Sequence, residues 1–221
     1  MTRVWGLWSA AVVAAVLFFG SAAAAYRELV PYITGGSQAE VRLAFLASQP
    51  PDPGLSLQAQ RLMLDDCVST LFPLIKAPLG DQQVRAKDNC LILSKTLTEE
   101  SPIFSYAWFA LALAQVVDGQ TSEFQHSLAQ SQLTTANQWA MASLRLRLAY
   151  QYWSSLPLTL QEQLGADIIV LAYSNNGRQW LAQRYAADPA FAEDITANLE
   201  KAPPNLQRAF IRAVSTQGAR S

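Results

Sequence analysis

Apolar and polar positions follow two different rules along this chain. Between Arg3 and Arg27 lie 23 residues without a single charge. As a helix rising about 1.5 Å per residue, such a run crosses the roughly 30 Å hydrocarbon core of a bilayer. After Arg27 the apolar residues recur three and four positions apart between polar ones, the period of amphipathic helices that share a core in water. The pattern predicts an all-α fold.

Breakers and capping residues divide the amphipathic part. Gly35-Gly36 interrupts the chain, and Ser37-Gln38-Ala39-Glu40 has the form of a capping box that starts a helix ending near Ser48. Pro50, Pro51 and Pro53 forbid its continuation. A helix from Leu57 to about Ile75 follows, with Pro73 kinking it or ending it early, then one from Asp81 to about Thr98. Ser101-Pro102 reads as the next start and Asp118-Gly119 as its stop. Further helices are predicted over 122–133 and 135–155, and another opens at the capping box Thr159-Leu160-Gln161-Glu162 and closes at a left-handed Asn175-Asn176-Gly177 stop. Asp188-Pro189 and Pro203-Pro204 open two more. The count is roughly nine helices after the first, joined by the short turns that bundles and solenoids require.

Faces within these helices point to their packing. Trp139, Ala142, Leu146, Ala149 and Trp153 form one stripe, widened by Leu144 and Leu148, and Trp108, Leu111, Ala112 and Gln115 form another. Alanines at 107, 110, 112 and 114 let a neighbouring helix approach closely.

The uncharged leading run has two readings. Its length exceeds the usual 7 to 15 residues of a signal core, roughly, and no breaker precedes Pro31, which fits a retained anchor with Trp5 and Trp8 at one boundary and Tyr26 and Tyr32 at the other. Arg3 and the small residues Ala23-Ala24-Ala25 also fit a cleaved secretory signal. Either reading exports the remainder. The anchor reading divides the chain into a cytoplasmic stub 1–3, a span 4–26, a membrane-proximal segment 27–55, a helical domain 56–216 and a flexible tail 217–221. Positive charge ahead of the span favours a single-pass topology with the amino terminus in the cytoplasm and the carboxyl-terminal domain exported.

Composition narrows the chemistry. Sixteen Lys plus Arg stand against 17 Asp plus Glu, so no strong overall field exists to draw in nucleic acid, and no nucleic-acid partner is expected. No phosphate cradle of the GxxxxGK or GxGxxG type is present, which argues against a nucleotide cofactor. Cys67 and Cys90 are the only cysteines, too few for a four-ligand zinc site. They lie at matching distances on either side of the 76–80 turn, which in an antiparallel hairpin brings the sulfurs to one height, and an exported compartment permits a disulfide. Two buried free thiols are the alternative.

Catalytic signatures are scarce. His126 is the single histidine and reads as a solvated surface residue; it has no second histidine for a metal and no triad partner. The acid pairs Asp65-Asp66, Glu99-Glu100 and Glu193-Asp194 point about 100° apart on a helix, so neighbours do not face one another as a glycosidase pair does. No enzyme, metal or cofactor is expected. The candidate partner-binding residues are Arg145, Arg147, Tyr150, Tyr152 and Trp153, a mixture of guanidinium and aromatic groups that suits partner helices or sugar faces, although aromatics at this spacing also form cores. Arg178, Trp180 and Arg184 make a second set.

The segment Ser101 to Trp139 resembles a degenerate tetratricopeptide repeat: Trp108, Leu111 and Ala112 on a first helix, Asp118-Gly119 at the turn, then Phe124, Leu128 and Ser131 on a second. The family's small residue is replaced at Phe124, and its closing proline is missing near Ala136. The resemblance implies a short TPR-like α-solenoid or an irregular helical bundle. The whole layout is also similar to small single-pass accessory proteins of bacterial surface-polysaccharide synthesis, on the residues Ala136-Asn137-Gln138-Trp139, Leu144 to Leu148, Tyr152-Trp153 and Leu156-Pro157. That resemblance implies a non-catalytic, membrane-tethered adaptor with protein partners in a membrane complex. Two other functions stay open, a cleaved periplasmic glycan- or lipid-binding module and a lytic glycoside-cleaving enzyme.

Overall fold

A computed structural model describes the backbone of residues 2–34 and 38–218, with side chains over 12–33 and 38–218. The side chains of Trp5 and Trp8, the Gly35-Gly36 break, Ser37 of the first capping box and residues 219–221 lie outside the described residues. Everything regular among the described residues is helical, and the chain divides between Leu97 and Thr98 into two compact units.

The first unit opens with α1 (Thr2–Thr34), followed by α2 (Ala39–Ser48), α3 (Leu57–Leu71), which tightens into a 3₁₀ turn at Phe72–Leu74, and α4 (Asp81–Glu100), whose last turn crosses the division. Ser56 caps α3, its hydroxyl accepting from the Ala59 amide at 3.1 Å. Pro73 ends α3 early by entering the 3₁₀ turn, since its ring cannot sit in a continuing α-helix. Leu46, Met63, Leu64, Leu71, Leu93 and Leu97 form the core of this unit.

The second unit contains α5 (Ser105–Val117), α6 (Thr121–Thr134), α7 (Trp139–Tyr150), a 3₁₀ turn at Trp153–Ser155, α8 (Leu158–Ala172), α9 (Asn175–Ala187), α10 (Pro189–Leu199) and α11 (Pro204–Gly218). Ten α-helices therefore follow α1 among the described residues. From α5 to α10 each helix packs on the next, and α5 meets α7, α6 meets α8, α8 meets α10 and α9 meets α11, the neighbour pattern of stacked hairpins. The buried alanines 107, 110, 112 and 114 let α5 and α6 lie together along most of their length. At the predicted stop, Gly119 is left-handed (φ 81°) and the Gln120 amide reaches back to the Gln115 carbonyl at 2.9 Å, closing α5.

Five local expectations are revised. α5 starts at Ser105 rather than at Pro102, because the Pro102 carbonyl takes the Trp108 indole N–H at 2.7 Å and Ser101–Phe104 forms a turn instead. The expected 135–155 helix is split, with α7 ending at Tyr150 and Trp153 turning inward as a 3₁₀ residue. Thr159 does not cap α8; Gln161 reaches back from the first turn to the carbonyls of Trp153 and Leu156. Asn175-Asn176-Gly177 begins α9 instead of ending α8, with the Ser174 hydroxyl accepting the Gly177 amide at 2.9 Å. The expected tail loses its first two residues to α11, which runs through Gly218.

Candidate functional site

The first feature that bears on function is the far end of α1. Val12–Ile33 is a 22-residue stretch of mean hydropathy 1.5, long and apolar enough to cross a membrane, and its side chains are almost wholly exposed. Near its carboxyl end, however, the helix is tied to the folded part. The Arg27 guanidinium forms a two-point pair with Asp52, at 2.6 and 2.9 Å, and these bonds hold the Asp52 carboxyl below the usual carboxylate range. Glu28 accepts the amides of Leu55 (3.1 Å) and Ser56 (3.0 Å) and the Ser56 hydroxyl, so a carboxylate carried by α1 satisfies amides at the start of α3. Pro31 is buried beside this junction, and α1 packs on α3.

The two cysteines are bonded, S–S 2.03 Å, linking α3 to α4 with Cα atoms 5.7 Å apart. Asn89, one residue before Cys90, donates to the Leu46 carbonyl at 2.6 Å and so fastens α4 to the end of α2.

The five predicted partner-binding residues are separated by the fold. Arg145 is fully buried and unavailable to a partner: Nε and Nη2 each donate to Asp167 at 2.7 Å, and the remaining hydrogens reach the Ser131 and Thr135 carbonyls at 3.0 Å. It caps the carboxyl end of α6, where unpaired carbonyls attract a cation. Gln163 and Ser105 reinforce that end by donating to the Ala129 and Ser131 carbonyls. Trp153 is also buried, its indole N–H on Asp194 at 2.6 Å and its ring 4.8 Å from Phe191. Half-buried Tyr150 lies in the same cluster, 5.1 Å from Phe191 and 6.0 Å from Trp180, with the Arg184 guanidinium 4.9 Å above its ring. Trp180 and Arg184 of the second set are thus packing partners of Tyr150. Tyr152 leans on Phe124 at 5.5 Å. Arg147 alone of the five is exposed. His126 is exposed too, edge-on to Trp108.

Two clefts flank the turn between α8 and α9. One, of about 510 Å³, is lined by Asn137, Trp139, Val170, Tyr173 and Ser174. Trp139, expected in the core stripe, stays 44 % exposed while its indole N–H is held by the Ser174 hydroxyl at 2.6 Å. Tyr173 is 60 % exposed. The other cleft, of about 320 Å³, lies between α9 and α11 and includes Asn175, Arg178, Gln179, Gln183, Arg212 and Thr216. Neither could be read from the chain, because each gathers residues from helices distant in sequence. The signal that did exist was one aromatic beside amide side chains in each of two helix-end segments, Asn137-Gln138-Trp139 and Tyr173 to Arg178. Among the described residues no three His, Cys, Asp or Glu side chains gather into a metal-binding group.

No protein-family model, curated protein or solved structure matches this chain.

Proposed function

We propose that the protein is a non-catalytic, single-pass membrane adaptor, anchored in a bacterial inner membrane by α1, with its helical units on the periplasmic side beside envelope-polysaccharide machinery. The observation that carries the anchor is the contrast within α1. Among the described residues its apolar length is largely exposed, whereas Arg27 and Glu28 at its end are committed to Asp52 and to the α3 amino terminus. Lipid is the solvent that suits the first part, and the ionic pair marks where lipid ends, close to Tyr26.

An adaptor of this kind gains from its tether. Restriction to the membrane plane raises the effective concentration of a membrane partner, so modest contact surfaces suffice. The polysaccharide assignment rests on the layout's similarity to accessory proteins of that machinery.

The test is proximity labelling in living cells with the enzyme fused to the carboxyl terminus, together with carbonate washing of membranes. Full-length protein retained in washed membranes and labelled glycan-synthesis or export proteins are expected. Release of a chain shortened by about 25 residues into the soluble fraction, a figure set by the small-residue cleavage site, would overturn the anchor. Labelling confined to unrelated proteins would overturn the adaptor role.

A further inference from the structure

We infer that the α8–α9 turn carries a binding site for an acidic oligosaccharide, with a sugar ring on the Trp139–Tyr173 side and a carboxylate on the Arg178–Arg212 side. The two clefts are neighbours on the chain as well as in space: Tyr173 and Ser174 line the first, Asn175 and Arg178 the second. A ligand longer than one ring can therefore lie across the turn and touch both.

Each side has the chemistry its half of the ligand requires. Sugar rings offer a flat C–H face and a rim of hydroxyls, and they are bound by aromatic rings left in water next to amide groups. Trp139 and Tyr173 remain exposed although each belongs to a helix end of the packed unit, and Asn137 supplies the amide. The Ser174 bond fixes the indole, so its exposed surface is set before any ligand arrives.

The opposite side is locally positive despite the chain's net charge of −1. Arg178 spends one nitrogen, Nη1, on the carbonyls of Ala172 (2.8 Å) and Tyr173 (3.0 Å), which pins it to the turn and leaves Nε and Nη2 to donate outward. Arg212 is exposed and enters the same cleft from α11. Gln179, Gln183 and Thr216 add neutral donors and acceptors for hydroxyls, and no carboxylate lines this cleft among the described residues. A uronate would bring its carboxylate to the two guanidinium groups and its hydroxyls to the flanking amides. A phosphate alone would leave the aromatic side unused. The site does not depend on the anchor and would persist in a chain without it.

The test is calorimetric titration of the full-length protein in lipid nanodiscs with tetragalacturonate, a neutral galactotetraose and a tetraglutamate peptide. Binding of tetragalacturonate in preference to both others is expected. Arg212→Gln should weaken it about tenfold, the loss of one charged hydrogen bond. Tyr173→Ala should weaken both saccharides and leave the weak peptide signal unchanged. Both side chains are exposed, and unchanged thermal melts will verify folding of the variants. Absence of saccharide binding, tetraglutamate binding as tightly as tetragalacturonate, or full affinity in either variant would overturn the site. None of these outcomes bears on membrane retention, so failure here and failure of the adaptor reading are distinguishable.

Discussion

Two buried acids illustrate how a single residue's surroundings decide what it does. Asp66 is nearly buried on α3, with Oδ2 unpaired, and desolvation raises its pKa from 3.8 to about 6 against the opposing pull of Arg42, with Asp65 adding to the rise. Its folded form thus binds a proton more readily than the unfolded chain does. Unfolding free energy should fall as pH rises from about 4 to about 6 and level off above. Asp66→Asn should remove that slope and stabilise the protein at pH 7 by on the order of 1–3 kcal/mol, measured by urea denaturation at pH 5 and pH 7.5. Burial also pushes the Asp167 carboxyl up, against the pull of Arg145, but here both oxygens are taken by Arg145. Arg145→Leu or Asp167→Leu alone should cost about 3–5 kcal/mol by leaving a buried charge, while the double apolar replacement should recover most of it. A double-mutant cycle of denaturation midpoints checks this; independent, additive losses would contradict it. From sequence, Arg145 looked like a binding residue because it interrupts an apolar stripe. Its partner lies 22 positions away, on α8, and no local pattern joins the two.

At the scale of elements, closures between helices matter more than propensity. The Cys67–Cys90 bond spans 23 positions and restricts the unfolded chain, so Cys67→Ala with Cys90→Ala should lower stability by about 2–4 kcal/mol, read as a shifted denaturation midpoint that reducing agent reproduces in the parent protein. The start of α9 depends on close approach. A Cβ at Gly177 would stand 2.1 Å from the Leu171 carbonyl oxygen, so the end of α8 and the beginning of α9 must separate to admit it. Gly177→Ala should cost about 1–3 kcal/mol, and hydrogen exchange should accelerate first at the α8–α9 turn. The same Asn-Asn-Gly signal fits a helix stop equally well on paper. Ser174 decided the matter, since its hydroxyl caps α9 and leaves the glycine needed for packing. Elsewhere local chemistry was sufficient: Ser56, Asp188-Pro189 and Gly119 cap, start and stop helices where their side chains and backbone freedom require.

For the whole molecule, the proposed anchor makes the junction at the end of α1 the decisive feature. A variant beginning at Arg27 should enter the soluble fraction with its melting temperature nearly unchanged, because Val12 to Tyr26 contribute almost no buried surface. Beginning the chain at Leu29 should lower it further, since Arg27 and Glu28 leave Asp52 and the α3 amides unpaired. Equal melting of the two truncations would show that the junction carries no stability. The chain by itself determined the helical class, the apolar leading helix, most helix ends and the matching positions of Cys67 and Cys90 about their turn, because periodicity, capping and loop length act over a few residues. Tertiary structure alone decided that Arg145 and Trp153 are interior, that Trp139 and Tyr173 face water, and that Arg178 and Arg212 share a cleft. These are matters of which helix lies beside which, and burial and charge pairing follow from distances in space that spacing along the chain does not encode.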